Sequence, residues 1–127
     1  MENIKIEPII TEIGIISGRD AIYLNDLTML NEMTFRLSGK IIRAVERKYT
    51  ITFKKVHLFK IVELDFDEIE CQSSFDKVVN SVQLDKMIEV DKQESIGKID
   101  NSFRHYVFRT YDSVFEIICK EFDLQLK

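Results

Sequence analysis

Along the pattern of apolar and polar positions, aromatic and β-branched side chains are densest near the end of the chain, in HYVFRTYDSVFEIICKEFDLQL (residues 105–126). Tyr106, Phe108 and Thr110 interleave with Val107, Arg109 and Tyr111 at the period of a strand, and residues of this kind suit a pleated, half-buried surface. Phe115, Ile117 and Cys119 share the next face, and Phe122, Leu124 and Leu126 resume the alternation past a bulge near Glu121. The pattern predicts a hairpin connected through Tyr111-Asp112-Ser113, apolar on both faces and so placed inside a sheet. Residues 113–124 also carry a competing helical stripe: Val114, Ile117, Ile118 and Phe122, with Glu116 and Lys120 at i,i+4 spacing and a capping box from Ser113 to Glu116. A helix over 113–124 is therefore the alternative.

Upstream, seven isoleucines crowd the first sixteen residues and favour strand, with Pro8 suited to an edge where a missing N–H costs least. Ser17-Gly18-Arg19-Asp20 reads as a turn. Ala21 to Leu27 and Met33 to Val45 are candidate strands, the second interrupted at Ser38-Gly39 by a bulge or tight turn. Tyr49, Ile51 and Phe53 against Thr50, Thr52 and Lys54 give a clean strand ending at a Lys54-Lys55 turn. A second run from Val56 to Asp67 predicts a longer strand, with Val62, Leu64 and Phe66 on one face and Glu63, Asp65 and Asp67 on the other. Gln72-Ser73-Ser74 is a polar break, Ser81 fits an N-cap, and Leu84, Met87 and Ile88 form the stripe of one short helix over residues 82–90. Asp91 to Asn101 is the most loop-like segment and the one expected to move most. The expected fold is a single α+β domain over residues 1–127, predominantly antiparallel sheet.

Composition narrows the class. With 45% hydrophobic and 31% charged residues, 127 residues suffice for one soluble core. A net charge of −4 gives no global drive toward nucleic acid or anionic membrane. Charge is uneven locally: seven basic residues and one acid lie between Lys40 and Lys60, and five acids with no base between Glu63 and Glu70. Opposed wet strand faces account for most of this. The first residues lack a signal-peptide pattern and no run is long enough to span a bilayer, so the expected compartment is the cytoplasm, and Cys71 and Cys119 are expected as free thiols.

Candidate chemistry is sparse. His57 and Cys71 are fourteen residues apart, as are His105 and Cys119, but the close ligand pairs of a zinc site are absent and no metal or cofactor is expected. Asp65 and Asp67 on one strand face read as surface before they read as an acid–base or magnesium pair. No phosphate-cradling glycine loop, nucleophile elbow or metal-binding helix motif occurs, so the expectation is a non-enzymatic protein. Tyr49, Phe53 and Phe59 within the basic stretch raise nucleic-acid binding as an alternative, against which Tyr49 and Phe53 share the apolar face of Ile51. A small-ligand or enzymatic pocket near His105, Tyr111 and Asp112 is another alternative.

The segments Tyr49-Thr50-Ile51-Thr52-Phe53, Ser74-Phe75 followed by Asn80-Ser81, and His105-Tyr106-Val107-Phe108 with Thr110 to Ile118 resemble a loosely defined family of small, uncharacterised proteins from Gram-positive bacteria. Some members resemble immunity proteins, which bind and neutralise a toxin. The resemblance implies a partner protein, such a toxin among the candidates, and the acidic run makes Asp65, Asp67 and Glu68 the candidate partner-binding residues. Self-association into a homodimer through an exposed strand edge is compatible with the same pattern.

Overall fold

The alternation at Tyr49-Ile51-Phe53 does place those three side chains in one buried layer, and the rest of the fold is assembled against it. The computed structural model describes residues 4–43, 45–67, 69 and 71–127. Its elements are β1 (Ile6–Pro8), β2 (Ile10–Thr11), β3 (Gly14–Ile15), β4 (Ile22–Asn31), β5 (Thr34–Ile42), β6 (Glu46–Lys54), β7 (Leu58–Glu63), a 3-10 turn (Leu64–Phe66), β8 (Phe75–Val78), α1 (Val82–Gln93), β9 (Arg104–Arg109), β10 (Ser113–Cys119) and β11 (Glu121–Leu126). A five-stranded sheet in the order β1-β8-β9-β10-β7 faces a four-stranded sheet in the order β11-β6-β5-β4, with β2 and β3 as a separate small hairpin. Every pairing is antiparallel, which is the sheet-dominated α+β class the alternation predicts.

The core is aromatic. Phe108 on β9 lies 5.4 Å from Phe75 on β8, 5.8 Å from Tyr49 and 6.4 Å from Phe53, with edge-on or tilted rings, the geometry that aromatic quadrupoles favour. Phe115, Ile117 and Cys119 on β10 complete the layer, and β10 sits between β7 and β9 with Val114 and Ile118 buried on its other face. The helical alternative for residues 113–124 is thereby overturned: each face of this strand has its own apolar surface to cover.

Several boundaries differ from the expected ones. The feature expected as a bulge near Glu121 is a change of sheet: β10 pairs with β7 and β9, whereas β11 pairs with β6. Phe122 then packs 5.1 Å from Phe75 and 5.2 Å from Tyr106, tying the two sheets together. The bulge expected at Ser38-Gly39 lies on the partner strand, between Leu24 and Asp26 of β4, and Gly39 is directly opposite it. A Cβ on Gly39 would stand 1.9 Å from the Tyr23 carbonyl oxygen, so that strand approach requires glycine. Pro8 lies on edge strand β1, and Lys55 turns the chain after β6 with φ 55°. Helix α1 starts at the expected cap, where Ser81 Oγ accepts the Leu84 N–H at 3.0 Å, and runs three residues past Val90. Strand β8 has no counterpart in the periodic pattern, because Asp76 and Lys77 interrupt its apolar positions. Among the described residues, no helix is long and apolar enough to cross a membrane.

Candidate functional site

The outer face of the five-stranded sheet, turned away from the aromatic core, carries most of the buried charge. Strand register places Asp76, Val107, Glu116 and Lys60 in one row across β8, β9, β10 and β7, with His105 and Arg109 to either side on β9. Arg109 donates from Nη1 to Asp76 at 2.6 Å and to the Ser73 carbonyl at 3.0 Å, and from Nη2 to the Ile69 carbonyl at 3.3 Å. Its Nε lies 3.6 Å from Asp67. Asp76 has no solvent exposure and also accepts the N–H groups of Gln72 and Ser73 and the Ser73 hydroxyl. One guanidinium therefore holds Asp67, Ile69 and Ser73 against the sheet, with its bonds aimed in fixed planar directions.

That anchoring reverses the expected orientation at Asp67, while Glu63 and Asp65 stay exposed as expected. A strand through Asp67 would bury Phe66 beside Val62 and Leu64 and leave Asp67 in water. The chain instead leaves the strand period at Leu64 for one 3-10 turn, with three residues per turn in place of two. Phe66 is consequently 77% exposed, while the Asp67 side chain is only 8% exposed against Arg109. Asp65 is exposed on the same turn, and its N–H donates to the Glu63 carboxylate at 3.0 Å. Glu68, the third expected residue, lies outside the described residues. Among the described pair, then, Asp65 faces solvent and Asp67 supports the turn. Phe66 was hidden from pattern reading because it continues an apolar period that the backbone abandons.

On the other side of the row, the Ser81 hydroxyl lies 2.7 Å from His105 Nδ1, and His105 Nε2 lies 3.1 Å from Glu116. With the hydroxyl donating to Nδ1 and Nε2–H donating to the carboxylate, all three groups are satisfied. Glu116 is held below the ordinary glutamate range chiefly by the His105 hydrogen bond, against the opposing effect of burial, with Lys60 adding 3.6 Å away. Hydroxyl, imidazole and carboxylate occur here in the order of a nucleophile relay. Ser81 is nevertheless buried and already accepts the Leu84 N–H as the helix cap, so its oxygen has no approach for a substrate. The chain pins the start of α1 to the centre of the sheet.

The remaining candidates do not converge. His105 stands near the start of β9, whereas Tyr111 and Asp112 follow its end, where Tyr111 stacks on Tyr23 at 5.4 Å. His57 stacks on Phe103 at 4.9 Å, Cys71 is exposed and Cys119 is buried. Among the described residues, no group of three or more His, Cys, Asp or Glu side chains is placed to hold a metal ion. In the basic stretch, Tyr49 and Phe53 are buried in the core and Phe59 stacks on Phe35, so these rings are not presented with the lysines as a platform for bases. Compared with protein-family models, with curated proteins and with solved structures, the chain finds no match in any of the three.

Proposed function

We propose that this chain is a non-enzymatic protein-binding module, and that its partner is a bacterial toxin which it neutralises in the manner of an immunity protein. The observation that carries the proposal is Phe66, a phenyl ring 77% exposed on an acidic turn. Aromatic rings that a partner can cover are the anchors that interfaces use. Because Asp67 and Arg109 moor the turn from beneath, the ring loses little freedom when a partner covers it. Glu63 and Asp65 beside it favour encounter with a basic surface. A depression of about 380 Å³ adjoins the ring, walled by Ile4, Val62, Ile69, Lys60 and Glu116, and offers a receiving hole for a partner side chain. The structural use of Ser81 and His105 supports a role without catalysis, and the toxin is the partner that the sequence resemblance implies.

The test is capture of the product of the adjacent open reading frame by this chain, together with protection of cells expressing that product. Phe66→Ser is expected to weaken binding about 30-fold, the equivalent of a hot-spot loss of about 2 kcal/mol. Asp65→Lys is expected to slow association and reduce its salt dependence. Both residues are exposed, so the thermal midpoint should not move. Unchanged affinity in both variants would refute this surface, and absence of both capture and protection would refute the immunity role.

A further inference from the structure

Two grooves meet at His57 and Lys98. The first, of about 360 Å³, runs beside α1 and is walled by Met87, Val90, Ile96 and Ile99, with Lys86 at its rim. The second, of about 370 Å³, is cationic, with Lys55, Lys98 and Lys120 around Asp100. Both volumes fall in the range of small-molecule sites. The local fold builds this pair. The Asp91 carboxylate accepts the N–H groups of Lys98 at 2.9 Å and Ile99 at 3.4 Å, folding that segment back along the helix with Val90 and Ile96 half exposed. His57, stacked on Phe103, places Nε2 3.3 Å from the Lys98 carbonyl and forms the shared wall.

The charges do not balance within the grooves. Four lysines line them against two carboxylates, Asp91 and Asp100, and both carboxylates are already engaged. Asp91 holds the backbone as described, while Asp100 accepts from the Ser102 N–H and hydroxyl and pairs with Lys120 at 3.1 Å. Among the described residues, Lys55, Lys86 and Lys98 form no ion pair. An apolar trough thus opens beside a cationic bowl whose surplus charge has no internal partner. We propose that the two grooves bind a single-chain anionic amphiphile, with the apolar chain along Met87, Val90, Ile96 and Ile99 and the anionic head among Lys55, Lys98 and Lys120. The apolar side chains line an open groove of about 360 Å³, enough for one free chain. The site shares no residue with the acidic turn, so it goes beyond the protein-binding reading and either can fail alone.

The test is a titration of the full chain with sodium decanoate, followed by amide NMR. Saturable binding is expected below the micellar range, with shifts centred on His57, Val90, Ile96 and Lys98. Each methylene added between hexanoate and decanoate should raise affinity about fourfold, as expected for a chain entering an apolar trough. The double variant Lys55→Glu/Lys98→Glu and the single variant Val90→Asp should each weaken decanoate at least tenfold. Where charge reversal lowers the thermal midpoint, Lys98→Gln keeps the stem and serves in its place. Equal affinity for decyltrimethylammonium, equal affinity for acetate, or shifts centred elsewhere would overturn the proposal. Binding to anionic vesicles with no saturable decanoate binding would also overturn it, in favour of a lipid surface.

Discussion

Replacing Asp76 by Asn tests whether the Arg109 hub is as central to the fold as its geometry implies. The carboxylate is fully buried, meets Arg109 Nη1 at 2.6 Å and accepts three further hydrogen bonds from Gln72 and Ser73. Asparagine keeps the shape, removes the charge and turns a donor toward either the guanidinium or the backbone N–H groups. Breaking a buried pair by removing one partner costs about 3–5 kcal/mol, because the remaining charge is stranded in low dielectric. That is a large share of a stability of about 5–15 kcal/mol. In urea, at a slope of about 1.5 kcal/mol/M, the midpoint should fall by about 2–3 M. With an unfolding entropy of about 2.1 cal/mol/K per residue, the thermal midpoint should fall by about 11–19 °C. The double variant Asp76→Asn/Arg109→Met removes the stranded cation, so its cost should be less than the sum of the two single costs by more than about 1 kcal/mol. A single-variant loss below about 1 kcal/mol, or an additive cycle, would refute the view that the fold depends on this pair.

Gly39→Ala should destabilise by at least about 2 kcal/mol in the same urea assay, because its Cβ would stand 1.9 Å from the backbone oxygen of Tyr23; a neutral result would mean that β4 can retreat freely. Glu116 is held low by His105 first, so its contribution is present above the ordinary glutamate pKa of about 4.3 and is lost as pH falls through the depressed folded value. The stability gap between wild type and Glu116→Gln should therefore be full above about pH 5 and shrink in acid, and a gap independent of pH would contradict the linkage. Of the two thiols, exposed Cys71 should react with a disulfide reagent in the native protein. Cys119, fully buried and pushed up to about 12 by that burial, should react only after unfolding, and two fast native thiols would count against the packed core.

The readable features of this sequence are those whose signal is local. The alternation at Tyr49-Ile51-Phe53 and at Tyr106-Phe108 gives strands whose buried face is correctly assigned, since a period of two places those side chains together whatever lies opposite. Ser81 announces α1 because a cap bonds the N–H three residues on. Pro8 on edge strand β1 and the turn at Lys55 follow from backbone restrictions of the same short range.

Partner identity is not local, and there the pattern falls short. Nothing around Lys120 shows that the chain leaves one sheet for the other, because a strand keeps its alternation whichever neighbour it pairs with. Strand β8 goes unseen because Asp76 and Lys77 spoil its period, and Asp76 can be buried only because Arg109 arrives from 33 residues away. The same guanidinium draws Asp67 inward, while the 3-10 turn leaves Phe66 in water, inverting what alternation predicts at the candidate site. Hydrophobic period is a property of neighbouring residues along one chain, whereas the energy of a buried charge depends on groups that only folding brings within a few ångströms. The strands whose apolar period is unbroken, and their inner faces, could thus be read directly, whereas β8 and the acidic turn with its exposed ring could not.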